Sequence, residues 1–256
     1  MIKKVLPIVR HPSLLWSYRH LFLVSHMRSR STLLSHILGS SQNIAGYFEQ
    51  HRSYKRYHDL LRLRRDLLKL SSRRCQYYLD KVLHDRLELA DCVLEHRKCK
   101  FIFLLRSGTE TINSILRMIA DGHFERRDDP LKYARSYYLQ RCKRLVYYAE
   151  RCGQSAMFVD SDSLVSQPKV VLQKLSKWLG LASPLSETYD LFEHTGKVGF
   201  GDFSENISVG RIVDTSGSEN FLSHEEQAAS NKVFLATRSA LSKLCHVSLL
   251  GKGCGE

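Results

Sequence analysis

The sequence lacks the marks of several common protein classes. It has seven cysteines, and no two of them form a CxxC pair. That spacing argues against zinc-ribbon and thioredoxin-type motifs, and the odd count argues against a closed disulfide framework. Reduced thiols in a cytoplasmic protein are the expectation. No apolar run approaches the ~18 residues of a membrane-spanning helix. The N-terminal stretch MIKKVLPIVRHPSLLWSYRHLFLV is broken by Arg10, His11, Arg19 and His20, so it has no continuous signal-peptide core. The GxxxxGK[ST] loop of nucleotide triphosphatases is missing, and no metal is expected. Acidic residues are scarce: 26 Asp and Glu stand against 39 Lys and Arg, for a net charge of +13. Such an excess attracts nucleotides, sulfated or phosphorylated glycans, nucleic acid or an acidic membrane surface. No motif that reads nucleic acid accompanies it.

What is present is enough apolar material for a packed core: 43% hydrophobic and 10% aromatic residues in 256. Neither a repeat nor a low-complexity linker divides the chain, so residues 1–256 are read as one domain. Apolar runs alternate with helical patterns, which predicts an α/β fold with a central parallel β-sheet flanked by helices. Expected strands lie at 19–25, 77–83, 100–105 and 156–164. KFIFLL is the clearest, being short and, after Lys100, wholly apolar as in a buried parallel sheet. Expected helices lie at 30–40, 53–72, 87–96, 109–120, 130–151, from Pro168 onward, and 224–245 behind a Ser223/Glu226 capping box. Residues 182–220, rich in Gly, Ser, Asp and Asn, read as one long ordered loop. The segment 52–74 holds nine Lys or Arg. Its Leu60, Leu61, Leu63, Leu67, Leu68 and Leu70 nevertheless demand burial, which makes it a helix flanking the sheet. The tyrosines at 137, 138, 147 and 148 read as packing on a long helix.

Two stretches carry chemistry. In LFLVSHMRSRSTLLSHIL (21–38) a strand passes through a polar turn into a helix. A helix N-terminus offers unpaired N–H groups and partial positive charge. Ser31 and Thr32 add hydroxyls, and Arg28 adds a fixed cation with forked donors. In FIFLLRSGTETINS (101–114), Arg106 leaves a strand end and Ser114 follows two helical turns later. Both can grip one phosphate at the same edge of the sheet.

These two stretches resemble those of sulfotransferases that use 3′-phosphoadenosine 5′-phosphosulfate (PAPS). RSRSTLL is similar to the family's phosphosulfate loop, and FIFLLRSGTETINSILRM to its 3′-phosphate segment. MFVDSDSLVSQPKVVLQKLSKWLGL and KVGFGDFSENISVGRI resemble its later conserved blocks. The likeness spans about 19–212 and is closest in style to bacterial carbohydrate and glycolipid members. It implies a P-loop-like sulfotransferase fold, PAPS as donor and 3′,5′-adenosine bisphosphate (PAP) as product. It also implies Arg28 as transition-state and leaving-group stabiliser, Arg106 and Ser114 as the 3′-phosphate pair, and Lys197 and Arg211 on a closing loop. Lys81 is implied at the sulfuryl oxygens, and Ser29, Arg30, Ser31 and Thr32 are implied as donor-binding residues of the loop. Two bases compete: Glu49 in GYFEQH, with His51 beside it, and His84 in LDKVLHDR. The implied acceptor is a hydroxyl of a saccharide or glycolipid, with peripheral membrane contact open. The alternatives are a small natural product as acceptor, or a non-catalytic polyanion binder. In one respect the loop departs from the family: its glycine is Arg30. Glycine is permissive in φ, so an arginine fits without strain only if φ is negative there.

Overall fold

The computed structural model describes residues 18–70, 75–197, 205–213 and 220–249. Its centre is a six-stranded, wholly parallel sheet in the order β2-β3-β1-β4-β5-β6. The strands are β1 (Arg19–Val24), β2 (Ile44–Ala45), β3 (Tyr77–Val82), β4 (Cys99–Leu105), β5 (Ala156–Asp160) and β6 (Val247–Leu249). The helices are α1 (Ser31–Gly39), α2 (Tyr57–Leu70), α3 (Asp91–Leu94), α4 (Gly108–Ala120), α5 (Pro130–Cys152), α6 (Ser161–Ser166), α7 (Pro168–Leu179) and α8 (His224–Leu244).

The near-continuous apolar strands are explained by cover on both faces. Side chains alternate across the sheet. Phe22, Val24, Tyr78, Phe101, Phe103 and Phe158 pack with leucines of α2, α5 and α8. Leu21, Leu23, Leu79, Ile102, Leu104 and Met157 pack with α1 and α7. The strand order reverses about β1, with β2 and β3 on one side and β4 to β6 on the other. A crevice at such a switch point, outside the carboxyl ends of the strands, is where α/β sheets take ligands.

Several expectations need correction. The segment 87–96 is helical only over the four residues of α3. The strand expected to run to 164 ends at Asp160, whose side chain accepts from the Asp162 N–H and caps α6. In α2, Leu60, Leu63 and Leu67 are buried, each contributing roughly 1.5–3 kcal/mol. Leu61 and Leu70 on the same helix are exposed instead. The 182–220 stretch includes a bridge between Thr188 and Arg211 and a short 3₁₀ turn at Glu205–Val209. Residues 198–204 and 214–219 of it lie outside the described residues. The two short edge strands β2 and β6 were not anticipated.

Candidate active site

The turn between β1 and α1 brings the first motif to the sheet edge. Its backbone is left-handed at two arginines, with φ of 62° at Arg28 and 66° at Arg30. The negative φ that would fit Arg30 without strain is therefore not what the loop adopts. The turn keeps the shape that glycine serves best, at a cost of roughly 1–2 kcal/mol per non-glycine residue. The structure shows what holds it. Arg30 Nη1 donates to Asp162 Oδ1 at 2.5 Å and to Ser161 Oγ at 3.1 Å. Ser161 Oγ donates in turn to the Ser29 carbonyl at 3.0 Å. The acidic corner after β5 is thus a bracket for the turn. With the Arg30 guanidinium directed at α6, its contribution to an anion would come from the backbone.

Helix α1 starts without a capping side chain and without an acidic residue in its first turn. A helix start of this kind is the end that favours an anion. The Ser29 hydroxyl at this turn is fully buried and has no hydrogen-bond partner among the described residues. Buried hydroxyls are seldom left unpaired, so an orphan here marks a place for a ligand atom.

The second motif reaches the same spot. Arg28 Nε donates to Ser114 Oγ at 2.8 Å, and Arg106 Nη1 donates to the Arg28 carbonyl at 3.0 Å. Arg106 is oriented by Glu110, whose Oε2 lies 2.9 Å from Nε. His26, which carried no role in the sequence reading, joins the two motifs through the backbone. Its Nδ1 sits 2.8 Å from the Met27 carbonyl, and its Nε2 accepts from the Arg106 N–H at 3.1 Å. That pair fixes the tautomer with the proton on Nδ1. Burial lowers the His26 pKa to about 3, so the ring stays neutral.

Helix α5 ties the strand ends together. Tyr137 Oη accepts from the Met27 N–H at 2.7 Å and donates to the Leu83 carbonyl at 2.8 Å. Tyr138 Oη donates to the Arg106 carbonyl at 2.9 Å. Arg141, fully buried, donates to the Ser25 and Val82 carbonyls and meets Asp85 at 3.3 Å. The tyrosine pattern that read as packing is therefore also a set of hydrogen-bonding posts under β1, β3 and β4.

The candidate bases come together. Glu49 is buried, and its Oε2 lies 3.9 Å from both His84 Nε2 and His51 Nδ1. Its Oε1 has no hydrogen-bond partner among the described residues. Burial lowers the pKa of His84, while the Glu49 carboxylate raises it. Lys81 is buried at the end of β3, with Nζ 3.5 Å from Thr32 Oγ1, which connects the base side to the α1 turn. Asp80 next to it is buried, and burial raises its pKa to about 7.

Lys197 and Arg211 are exposed, and among the described residues they make no contact with the turn at 28–32. Much of the loop that bears them lies outside the described residues. Among the described residues no group of three or more His, Cys, Asp or Glu side chains is placed to hold a metal ion. No described helix is long and apolar enough to cross a membrane.

Comparison with solved structures places this architecture. A sulfotransferase domain from the Synechococcus PCC 7002 olefin synthase aligns with a TM-score of 0.50 at 18% identity, covering 86% of this chain and 95% of that one. The chain has a sulfotransferase fold. A sulfotransferase domain from the curacin biosynthetic pathway aligns with the same TM-score at 16% identity, over 85% of this chain and 98% of that one. No protein-family model and no curated protein sequence matches the chain.

Proposed function

We propose that this chain transfers a sulfuryl group from PAPS to a hydroxyl of a small-molecule acceptor. One observation carries the reading. The Arg28 turn and the Arg106–Ser114 element, far apart in sequence, are hydrogen-bonded into one cationic cluster at the carboxyl edge of the sheet. The residues fit a doubly anionic nucleotide. Among the described residues no side chain caps the α1 N-terminus and the buried Ser29 hydroxyl has no partner, and Arg28, Ser31 and Thr32 belong to the same turn. These residues would hold the phosphosulfate end, and Arg106 and Ser114 the 3′-phosphate.

PAPS supplies a sulfuryl group whose bond to the nucleotide phosphate breaks as the bond to the acceptor oxygen forms. Positioning and electrostatics then carry most of the work for the protein. A guanidinium is no proton donor, so the role of Arg28 is to neutralise the oxygen that gains charge. Lys81 adds a second cation beside Thr32. The Glu49–His84 pair takes the proton of the acceptor hydroxyl. Glu49 Oε2 and His84 Nε2 lie 3.9 Å apart, so in this reading the two competing bases belong to a single base site.

The acceptor reading moves from saccharide or glycolipid to the small-molecule alternative. Both aligned domains come, by their names, from an olefin synthase and a biosynthetic pathway. The segment before Glu49 also presents stacked rings: Tyr47 lies on Phe192 at 4.0 Å and Phe48 meets His194 edge-on at 5.3 Å. Rings of this kind suit an apolar acceptor body.

Incubation with PAPS and two panels, simple alcohols and phenols in one and mono- and oligosaccharides in the other, tests this by the mass gain of a sulfo group. The reading expects gain in the first panel. Gain only among saccharides would overturn the acceptor assignment, and PAP binding without any transfer would favour a non-catalytic nucleotide binder.

A further inference from the structure

The Glu49 carboxylate is buried without a hydrogen bond of its own among the described residues, since Oε1 has no partner and Oε2 meets only the two histidines at 3.9 Å. Something other than its own oxygens must keep it facing His84. The backbone that bears it is unusually constrained. Gly46 has φ 103° and lies so close to β3 that a Cβ there would sit 2.3 Å from the Leu79 carbonyl oxygen. His51 holds φ 49°. Between them, the Gln50 N–H donates to Asp80 Oδ1 at 2.8 Å. The same oxygen accepts from the Lys81 N–H at 2.7 Å, and Asp80 Oδ2 accepts from Tyr54 Oη at 2.5 Å. The Tyr54 ring packs edge-on against Phe22 of β1, 4.9 Å away, so this post is anchored in the core.

We propose that Asp80 is a positioning residue: through the Gln50 N–H it fixes the segment that aims Glu49 at His84, and through the Lys81 N–H it fixes the end of β3. The inference rests on the functional reading only in taking Glu49 and His84 as the working pair. Asp80 and Tyr54 touch neither of the two anion grips. Burial favours the neutral acid form of Asp80 up to about pH 7, and an asparagine, which keeps one acceptor oxygen, imitates that form.

Glu49 raises the His84 pKa, and Arg86, Arg141 and His51 lower it. Asp80→Val and Asp80→Asn remove the same charge, so a difference between them reports on the hydrogen bonds of Asp80 and not on its charge. The experiment is a histidine NMR titration on the full chain. Glu49→Gln lowers the His84 midpoint, because a charge that raises it is gone. Asp80→Val, close in volume but without acceptors, lowers it too. Asp80→Asn restores it. PAP binding, measured alongside, stays at the wild-type level in Asp80→Asn. An unmoved His84 in Asp80→Val, or in Glu49→Gln, overturns the proposal. If Asp80→Val does not fold, amide exchange of Gln50 in the wild type decides: slow exchange supports the bond to Asp80, and exchange at the rate of an open loop refutes it. Failure of wild-type PAP binding would strike the sulfotransferase reading and leave this result standing.

Discussion

The left-handed arginine at position 30 makes a measurable claim about stability. At φ 66° and ψ 21° its Cβ costs roughly 1–2 kcal/mol relative to a residue without one. The side chain offsets part of this. The contact with Asp162, whose side chain is half exposed, contributes about 0–1 kcal/mol, and the Ser161 bond contributes about 0.5–1.5 kcal/mol. Arg30→Ala and Arg30→Gly lose the same contacts, but only glycine relieves the backbone. Glycine gives back about 0.4–1 kcal/mol through the freedom of the unfolded chain. Arg30→Gly should therefore exceed Arg30→Ala by on the order of 1 kcal/mol and lie near the wild type. Urea unfolding with a common slope resolves such a difference, which corresponds to roughly 2–4 °C in Tm for a chain of this size. An Arg30→Ala variant as stable as Arg30→Gly would refute the claim that the loop stores strain at this residue.

Other outcomes follow from the same geometry. Gly108→Ala puts a Cβ 2.8 Å from the Ser230 carbonyl oxygen and 2.9 Å from Tyr138, and should cost about 1–3 kcal/mol in thermal unfolding. Arg106→Ala should weaken PAP by about 10- to 100-fold in calorimetry, the loss of charged hydrogen bonds worth roughly 1.5–3 kcal/mol; an unchanged Kd would remove Arg106 from the phosphate site. Arg28→Ala with full activity and unchanged donor affinity would end its assigned role. Asp80 has a folded pKa of about 7, raised by burial from 3.8. The native state then binds the extra proton between those values. The stability this contributes is complete below about pH 4 and is lost as pH rises through about 7, on the order of 4 kcal/mol in all. Asp80→Asn should flatten that part of the pH–stability curve, and a slope unchanged by the substitution would mean that Asp80 is not its source.

The parts that sequence made legible are those with local signals. The apolar runs at 21–24 and 101–105 announce buried parallel strands. The Ser223/Glu226 box announces the start of α8. The two anion motifs were visible because each is confined to one strand–turn–helix. What stayed hidden is non-local. The roles of Tyr137, Tyr138 and Arg141 depend on carbonyls 32 to 116 residues away, which no periodicity encodes. His26 and Asp80 look like ordinary polar residues until the fold surrounds them. The edge strands β2 and β6, two and three residues long, carry too little pattern to stand out. The positive φ at Arg30 ran against its residue type, and only the bracket from Asp162 and Ser161 explains it.

The central claim, that two grips at one sheet edge form a site for a doubly anionic adenine nucleotide, is tested most directly by thermal unfolding with PAP. A ligand specific for the native state at about 100 times its Kd adds roughly 2.7 kcal/mol, or about 5–10 °C in Tm for a chain of this size. The account predicts that rise, and predicts that Arg106→Ala reduces it. No rise at millimolar PAP, together with tight salt-sensitive binding to DNA, would contradict it.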